Sequence, residues 1–308
     1  MPYVGTVETI RVPFDLGAGR RGASLGPGAI MRAGLECRLQ QLNVPMLDRG
    51  DIPVPGHIPF ATPDASLSAA SSTLRYLAEV EQVNAALAES VAQAAAGKRF
   101  PLVLGGDHSI AIGTIAGLAD HYRNLGVIWF DAHSDLNTEH STPSGNIHGM
   151  SLAVSLGLGH PALTGIRGDS PKIKPEHIVL IGVRSLDPAE KTFIRSQGIT
   201  CYTMHDIDRK GIGRVMEEAM ERVSTGTDGV HLSFDVDCLD PLEAPGTGTA
   251  VNGGLSFREA HLALELLYEA GIVTSAEFVE VNPALDVNEK TAHLAVGLIC
   301  SLLGQQIL

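Results

Sequence analysis

The segment DAHSDLN, residues 131–137, sets Asp131, His133 and Asp135 at alternate positions directly after the apolar run GVIWF. Three partly buried ionisable groups within five residues repel or desolvate one another unless a cation compensates them. Two other apolar runs end in a similar way. PLVL is followed by GGDHS at 105–109, which contains His108, and LSFDVD supplies Asp235 and Asp237. Alone, His108 reads more readily as a hydrogen-bonded loop residue, and the D-x-D equally well as a helix cap; together the three segments ask for a metal. Read as extended chain, alternation turns Asp131, His133 and Asp135 to one side, and Asp235 and Asp237 likewise. Four carboxylates and two imidazoles without a thiolate suit a hard or borderline divalent ion, and suffice for two ions bridged by shared Asp oxygens. Mn²⁺ fits best, since Zn²⁺ usually settles for four ligands richer in His or Cys, and Mg²⁺ retains waters and seldom takes imidazole.

Such groups must be carried by a scaffold. Eight β-rich runs (VETIRVPF, VPMLD, PLVLGG, GVIWFDAH, HIVLIGVR, ITCYTM, VHLSFDVD and SAEFVEVN) alternate with helical segments, the pattern of a parallel α/β sheet covered on both faces. In such sheets ligands bind beyond the carboxyl ends of the strands, where the acidic and histidine residues fall. The last run, EFVEVN, adds Glu280 there. The Ala, Leu and Val spacing and a closing glycine predict a helix over Leu74 to Ala96. The Pro/Gly clusters PVPGHIPFATPD and DPLEAPGTGTAVNGG separate no regions of different composition and read as long surface loops, so residues 1–308 form one domain.

The chain has 44% apolar residues and 22 Lys plus Arg against 35 Asp plus Glu, a net charge of −13. With no basic tract, this excludes a phosphate-backbone partner and hence nucleic acid. The N-terminus has no signal-peptide pattern and no stretch reaches the ~18 apolar residues a membrane span needs, so the expectation is a soluble cytoplasmic protein with no membrane partner. Cys37, Cys201, Cys238 and Cys300 form no C-x-x-C pair and read as ordinary buried thiols.

The motifs GGDHS, DAHSDLN, SGNIHG (144–149), IGVRSLDPAE (181–190), SFDVDCLDP (233–241), APGTGTAVNGG (244–254) and EFVEVNP (277–283) are together similar to those of the ureohydrolases, and within them the arginases. The likeness covers most of Leu102 to Leu303, with DLGAGRRGASLGPGAI resembling the family's opening Gly-rich loop. The resemblance implies a three-layer α/β/α fold with a mainly parallel eight-stranded sheet and two Mn²⁺ per subunit. One ion would be held by His108, Asp131, Asp135 and Asp235, the other by Asp131, His133, Asp235 and Asp237. It further implies hydrolysis of L-arginine to L-ornithine and urea by a hydroxide bridging the ions, because a guanidinium carbon is too poor an electrophile for neutral water. In the family pattern Asp135 moves the proton to the leaving amine, Glu280 anchors the guanidinium, and His148 shuttles protons to bulk water. His133, Asn137, Thr142, Ser144, Asn146, Gly149, Asp187, Glu190 and Thr249 would complete the substrate pocket. Of these, Asn137, Thr142 and Ser144 would take the α-carboxylate, and Asp187 with Glu190 the α-amine. Cys238 within DVDCLDP is as familiar from agmatinases, which, with other guanidino-acid hydrolases, form the enzymatic alternative within a family that also includes the formimidoylglutamases. A silent, non-catalytic relative is the other. The resemblance also implies a homo-oligomer, trimer or hexamer.

Overall fold

The computed structural model describes residues 5–54 and 74–306. Its eight strands are β1 Val7–Arg11, β2 Met46–Asp51, β3 Phe100–Leu104, β4 Leu125–Phe130, β5 Ile178–Val183, β6 Thr200–Thr203, β7 Gly229–Asp235 and β8 Val273–Val279. All pair in parallel in one sheet of order β2-β1-β3-β8-β7-β4-β5-β6. The eight runs read from the sequence are these eight strands, each shifted by a few residues at its ends.

Period-two alternation explains why the sheet is covered twice. Leu102, Leu104, Ile128, Phe130, Val179 and Ile181 face one core, while Val103, Val127, Trp129, Ile178 and Leu180 face a second. The first core is closed by helices α1 (Gly26–Arg32), α2 (Leu35–Gln41), α8 (Met204–Lys210), α9 (Ile212–Ser224), α10 (Phe257–Ala270) and α11 (Lys290–Leu302). The second is closed by α3 (Leu77–Ala96), α4 (Ala111–Ala119), α5 (Ser151–Ser155), α6 (Pro161–Thr164) and α7 (Pro188–Gln197). The fold is therefore a three-layer α/β/α sandwich. No helix among the described residues is long and apolar enough to cross a membrane.

Three expectations are corrected in detail. The helix expected from Leu74 begins at Leu77, because Tyr76 takes a left-handed backbone (φ 52°) that cannot open a helix. Cys37 is exposed on α2 and Cys201 only half-buried on β6, whereas Cys238 and Cys300 are buried as expected. The loop at 240–254 is partly an interior segment, with Ala244 and Thr247 buried against the strand ends. Most of the first Pro/Gly cluster, residues 55–64, lies outside the described residues.

The topology brings distant segments together. β3, β8, β7, β4 and β5 are consecutive in the sheet although residues 100 and 279 bound them in sequence. Their carboxyl ends therefore form one edge, carrying His108, Glu280, Asp235, Asp131 and the 184–190 segment.

Candidate metal centre

Each of three central strands ends in the same local device, an Asp whose side chain caps the backbone N–H two residues on. Ser109 N donates to Asp107 Oδ1 at 2.9 Å, His133 N to Asp131 Oδ1 at 2.7 Å, and Asp237 N to Asp235 Oδ1 at 2.7 Å. Short acidic side chains satisfy the backbone where ladder pairing stops, so the chain turns sharply and the next side chains fold back over the sheet edge. This corrects the expectation of strand alternation. Asp131 to Asp135 lie beyond β4, Asp237 lies in a 3-10 turn, and Asp135 has φ 51°.

The turns bring the ligand candidates together. His108 Nδ1 lies 3.1 Å from Asp131 Oδ2, 3.1 Å from Asp135 Oδ2 and 3.2 Å from Asp235 Oδ2. His133 Nδ1 lies 3.2 Å from Asp131 Oδ1 and 3.1 Å from Asp237 Oδ2. Two groups, His108–Asp131–Asp235 and Asp131–His133–Asp237, each have ligand atoms within 4.8 Å of one another, and Asp131 belongs to both.

The electrostatics ask for a cation. Burial would raise Asp131, yet His108 and His133 hold it well below the ordinary carboxylate range. Burial first, then the Asp131 charge, pushes Asp135 up to about 7. Burial and the neighbouring carboxylates likewise drive Asp235 well above its usual value, and Asp237 upward. Burial would depress both imidazoles, but their carboxylate partners carry His108 well above its ordinary value and His133 to about 12. Protons thus take the place of positive charge among four carboxylates, the role a divalent ion fills when it displaces them. The spacing fits as well. Ligand atoms 3.1–3.2 Å apart, with each group gathered inside 4.8 Å, are close enough to share one divalent ion.

Several supports were missed in the sequence. Trp129 stacks on the His108 ring at 4.1 Å and donates from Nε1 to Asp131 Oδ2 at 3.1 Å. Asp107 also accepts from Gly17 N and Ala18 N at 2.8 and 3.1 Å, pinning the Gly-rich loop, whose Gly17 oxygen accepts from His148 N. Arg184 donates to the oxygens of Gly182, Asp237, Cys238, Leu239 and Val251, so a guanidinium holds the loop that carries Asp237. A lone arginine after a strand gives no sign of such a role in the sequence.

Above the carboxylates opens a cavity of about 160 Å³. His133, Asp135, Asp235, Asn137, Thr142, Ser144, Asn146, His148, Gly149, Asp187, Glu190 and Thr249 all line it, together with Pro143 and Ser185, which were not anticipated. Asn137 Nδ2 donates to Asp187 Oδ2 at 2.9 Å, and Thr249 Oγ1 to Asp237 Oδ2 at 2.9 Å. Glu190 is already engaged. Its Oε1 accepts from Ser134 Oγ at 2.8 Å and Leu136 N at 3.1 Å, the two neighbours of Asp135, and its Oε2 accepts from Asp187 N at 2.8 Å.

Glu280 sits beneath the wall, 2% exposed and at φ 64°, a conformation unfavourable for a non-glycine residue. Its Oε1 accepts from His108 N at 2.9 Å and meets His148 Nδ1 at 3.1 Å, leaving Oε2 available. Burial would lower His148, but Glu280 carries it to about 9.

A profile described as the Arginase family matches residues 6–304. The chain is 57% identical over 302 residues to the arginase of Bacillus caldovelox, covering 98% of this chain and 99% of that one. It is 54% identical over 303 residues to the arginase of Bacillus subtilis, with 98% and 99% coverage. This chain belongs to the arginase family. Among solved structures, the native arginase of B. caldovelox superposes with a TM-score of 0.93 at 57% identity, covering 99% of this chain and all of that one. The ligand-bearing edge thus lies within an arginase fold matched over almost its whole length.

Proposed function

We propose that this chain hydrolyses the guanidinium group of L-arginine to L-ornithine and urea, using two Mn²⁺ ions. The observation that carries this reading is the meeting of His108, Asp131, His133, Asp135, Asp235 and Asp237 under one narrow cleft. We assign one ion to His108, Asp131, Asp135 and Asp235, and the other to Asp131, His133, Asp235 and Asp237. When bound, such a pair supplies Lewis-acid activation of water at neutral pH.

The chain's own residues do the rest. Glu280 Oε2 is free to accept two-centre, charge-assisted hydrogen bonds from a guanidinium and so to orient its carbon. One water is consumed, the bond from the guanidinium carbon to Nε breaks, and the departing amine needs a proton. Asp135 opens into the cleft and carries that proton, while His148, protonated up to about 9 and partly exposed in the wall, returns protons from solvent. At the mouth, Asn137, Thr142 and Ser144 offer neutral donors to an α-carboxylate, and Asp187 a counter-charge to an α-ammonium. Glu190 serves the amine end through Asp187, because both its oxygens are occupied. Residues 1–308 act as one catalytic domain, which we read as part of a cytoplasmic homo-oligomer, trimer or hexamer.

Urea release from arginine and from agmatine, measured with Mn²⁺ and after chelation, tests the reading. We expect strong preference for arginine, loss of activity on chelation and its return with Mn²⁺. Preference for agmatine would overturn the substrate assignment, and full activity in the chelated protein would overturn the metal assignment.

A further inference from the structure

Two ionisable side chains that this mechanism does not use are buried behind the ligands. His231 on β7 and Glu277 on β8 are both 0% exposed, on the face of the sheet where the adjoining strands present Val103, Val127 and Trp129. Their strands pair so that Ser233 faces Glu277 and His231 faces Ser275. Glu277 Oε1 accepts from Ser233 Oγ at 2.7 Å and lies 3.4 Å from His231 Nε2, while His231 Nδ1 meets Ser275 Oγ at 3.0 Å. Ser233 Oγ in turn lies 2.8 Å from His108 Nε2. An unbroken line of polar atoms therefore runs from the sheet interior to a ligand candidate.

The direction of that line follows from proton counting. A serine hydroxyl has one proton, and an ionised carboxylate can only accept. With Ser233 donating to Glu277, its oxygen can only accept from His108, so the His108 proton must sit on Nε2. Nδ1, which faces Asp131, Asp135 and Asp235, is then the nitrogen that would give up its proton and offer a lone pair when a divalent ion binds. Reversing the line would place the proton on Nδ1 and close that position to a cation. Burial acts to neutralise Glu277, but the adjacent His231 outweighs it and keeps the carboxyl below its ordinary range. An isolated carboxylate is costly to bury, so the His231 partner accounts for Glu277 standing on this buried face.

We propose that Glu277, paired with His231, is a positioning residue that fixes, through Ser233, the tautomer in which His108 meets a divalent ion. This rests on the metal reading above. Glu277→Gln is the test, because an amide can donate to Ser233 and let the line run either way, whereas Glu277→Asp keeps an obligatory acceptor. Metal-free wild type and variants are titrated with Mn²⁺ by calorimetry, with electron paramagnetic resonance reporting the coupled pair. Wild type should take two ions. Glu277→Gln should lose about 10–100-fold in affinity at the His108 position while the Asp131–His133–Asp237 position stays within about threefold, and Glu277→Asp should restore most of the loss. Should Glu277→Gln fail to fold, Ser233→Ala carries the same site-selective expectation. Unchanged affinity at both positions, or equal weakening of both, would overturn the inference. A wild type that takes up no ion would instead overturn the metal reading on which it depends.

Discussion

Glu190→Ala probes how the cleft mouth is fastened to the ligand loop. The side chain is 4% exposed and accepts three hydrogen bonds, from Ser134 Oγ, Leu136 N and Asp187 N. Hydrogen bonds to an ionised group contribute about 1.5–3 kcal/mol each, and a buried donor left unpaired costs about 1–3 kcal/mol. Removing the carboxylate also removes its own desolvation cost, and water entering from the cleft can reach Asp187 N. The net loss is therefore about 3–5 kcal/mol. A chain of 308 residues has an unfolding entropy near 0.65 kcal/mol/K at roughly 2.1 cal/mol/K per residue, so Tm should fall by roughly 5–8 °C. Ser134 and Leu136 flank Asp135, so the loop should also loosen around the ligand oxygen, weakening Mn²⁺ binding about tenfold or more. Glu190→Gln keeps one acceptor for the loop and should lose mainly the bond from Asp187 N, with a smaller drop in Tm and near-normal metal affinity. Differential scanning calorimetry with and without Mn²⁺, beside metal titration, reads both effects. An alanine variant that melts within about a degree of wild type with unchanged metal affinity would refute the bracket role given to Glu190.

Asn137→Ala should raise KM for arginine far more than for agmatine, which has no α-carboxylate for Asn137 to meet, and steady-state kinetics showing equal effects on both would count against the cleft-mouth assignment. Gly106→Ala should destabilise the fold by about 3 kcal/mol or more, because the new methyl would lie 1.6 Å from the Phe14 oxygen; a chemical denaturation curve matching wild type would contradict this packing. In metal-free protein the folded-state imidazole of His133 is raised from 6.5 to about 12, so its stabilising effect is complete below pH 6.5 and fades as pH rises through the alkaline range. Asp135, raised to about 7, acts in the same sense between its ordinary range and neutrality. Melting temperatures of the chelated protein should therefore fall from pH 6 to 9, while Mn²⁺ binding at pH 7.5 releases protons from His108 and His133; calorimetry in buffers of different ionisation enthalpy would expose a binding event with no proton release.

The sheet was legible because its central strands β3, β4, β5 and β7 are largely apolar runs broken by turn residues and buried on both faces, whereas the edge strands β2 and β6 are exposed or half-buried. The ligands were legible because Asp131, His133, Asp235 and Asp237 follow such runs, where charge has no structural excuse. The way they are aimed was not. Alternation along a strand was the wrong device, since the capping of His133 N and Asp237 N by the preceding carboxylates turns the chain away from extended geometry. Asp107 was passed over because its partners at Gly17 and Ala18 are 90 and 89 residues away, a relation no local pattern encodes. His231 and Glu277 did leave a signal, two ionisable residues inside VHLSFDVD and SAEFVEVN, but only the register of β7 against β8 reveals that Ser233 joins them to His108.

The most direct test of the whole account is a crystal structure of the Mn²⁺-loaded protein with anomalous scattering recorded near the manganese edge. Two peaks are predicted, one against His108 Nδ1 and one against His133 Nδ1, both within bonding distance of Asp131 and Asp235. A single peak, or manganese bound away from these four residues, would contradict it.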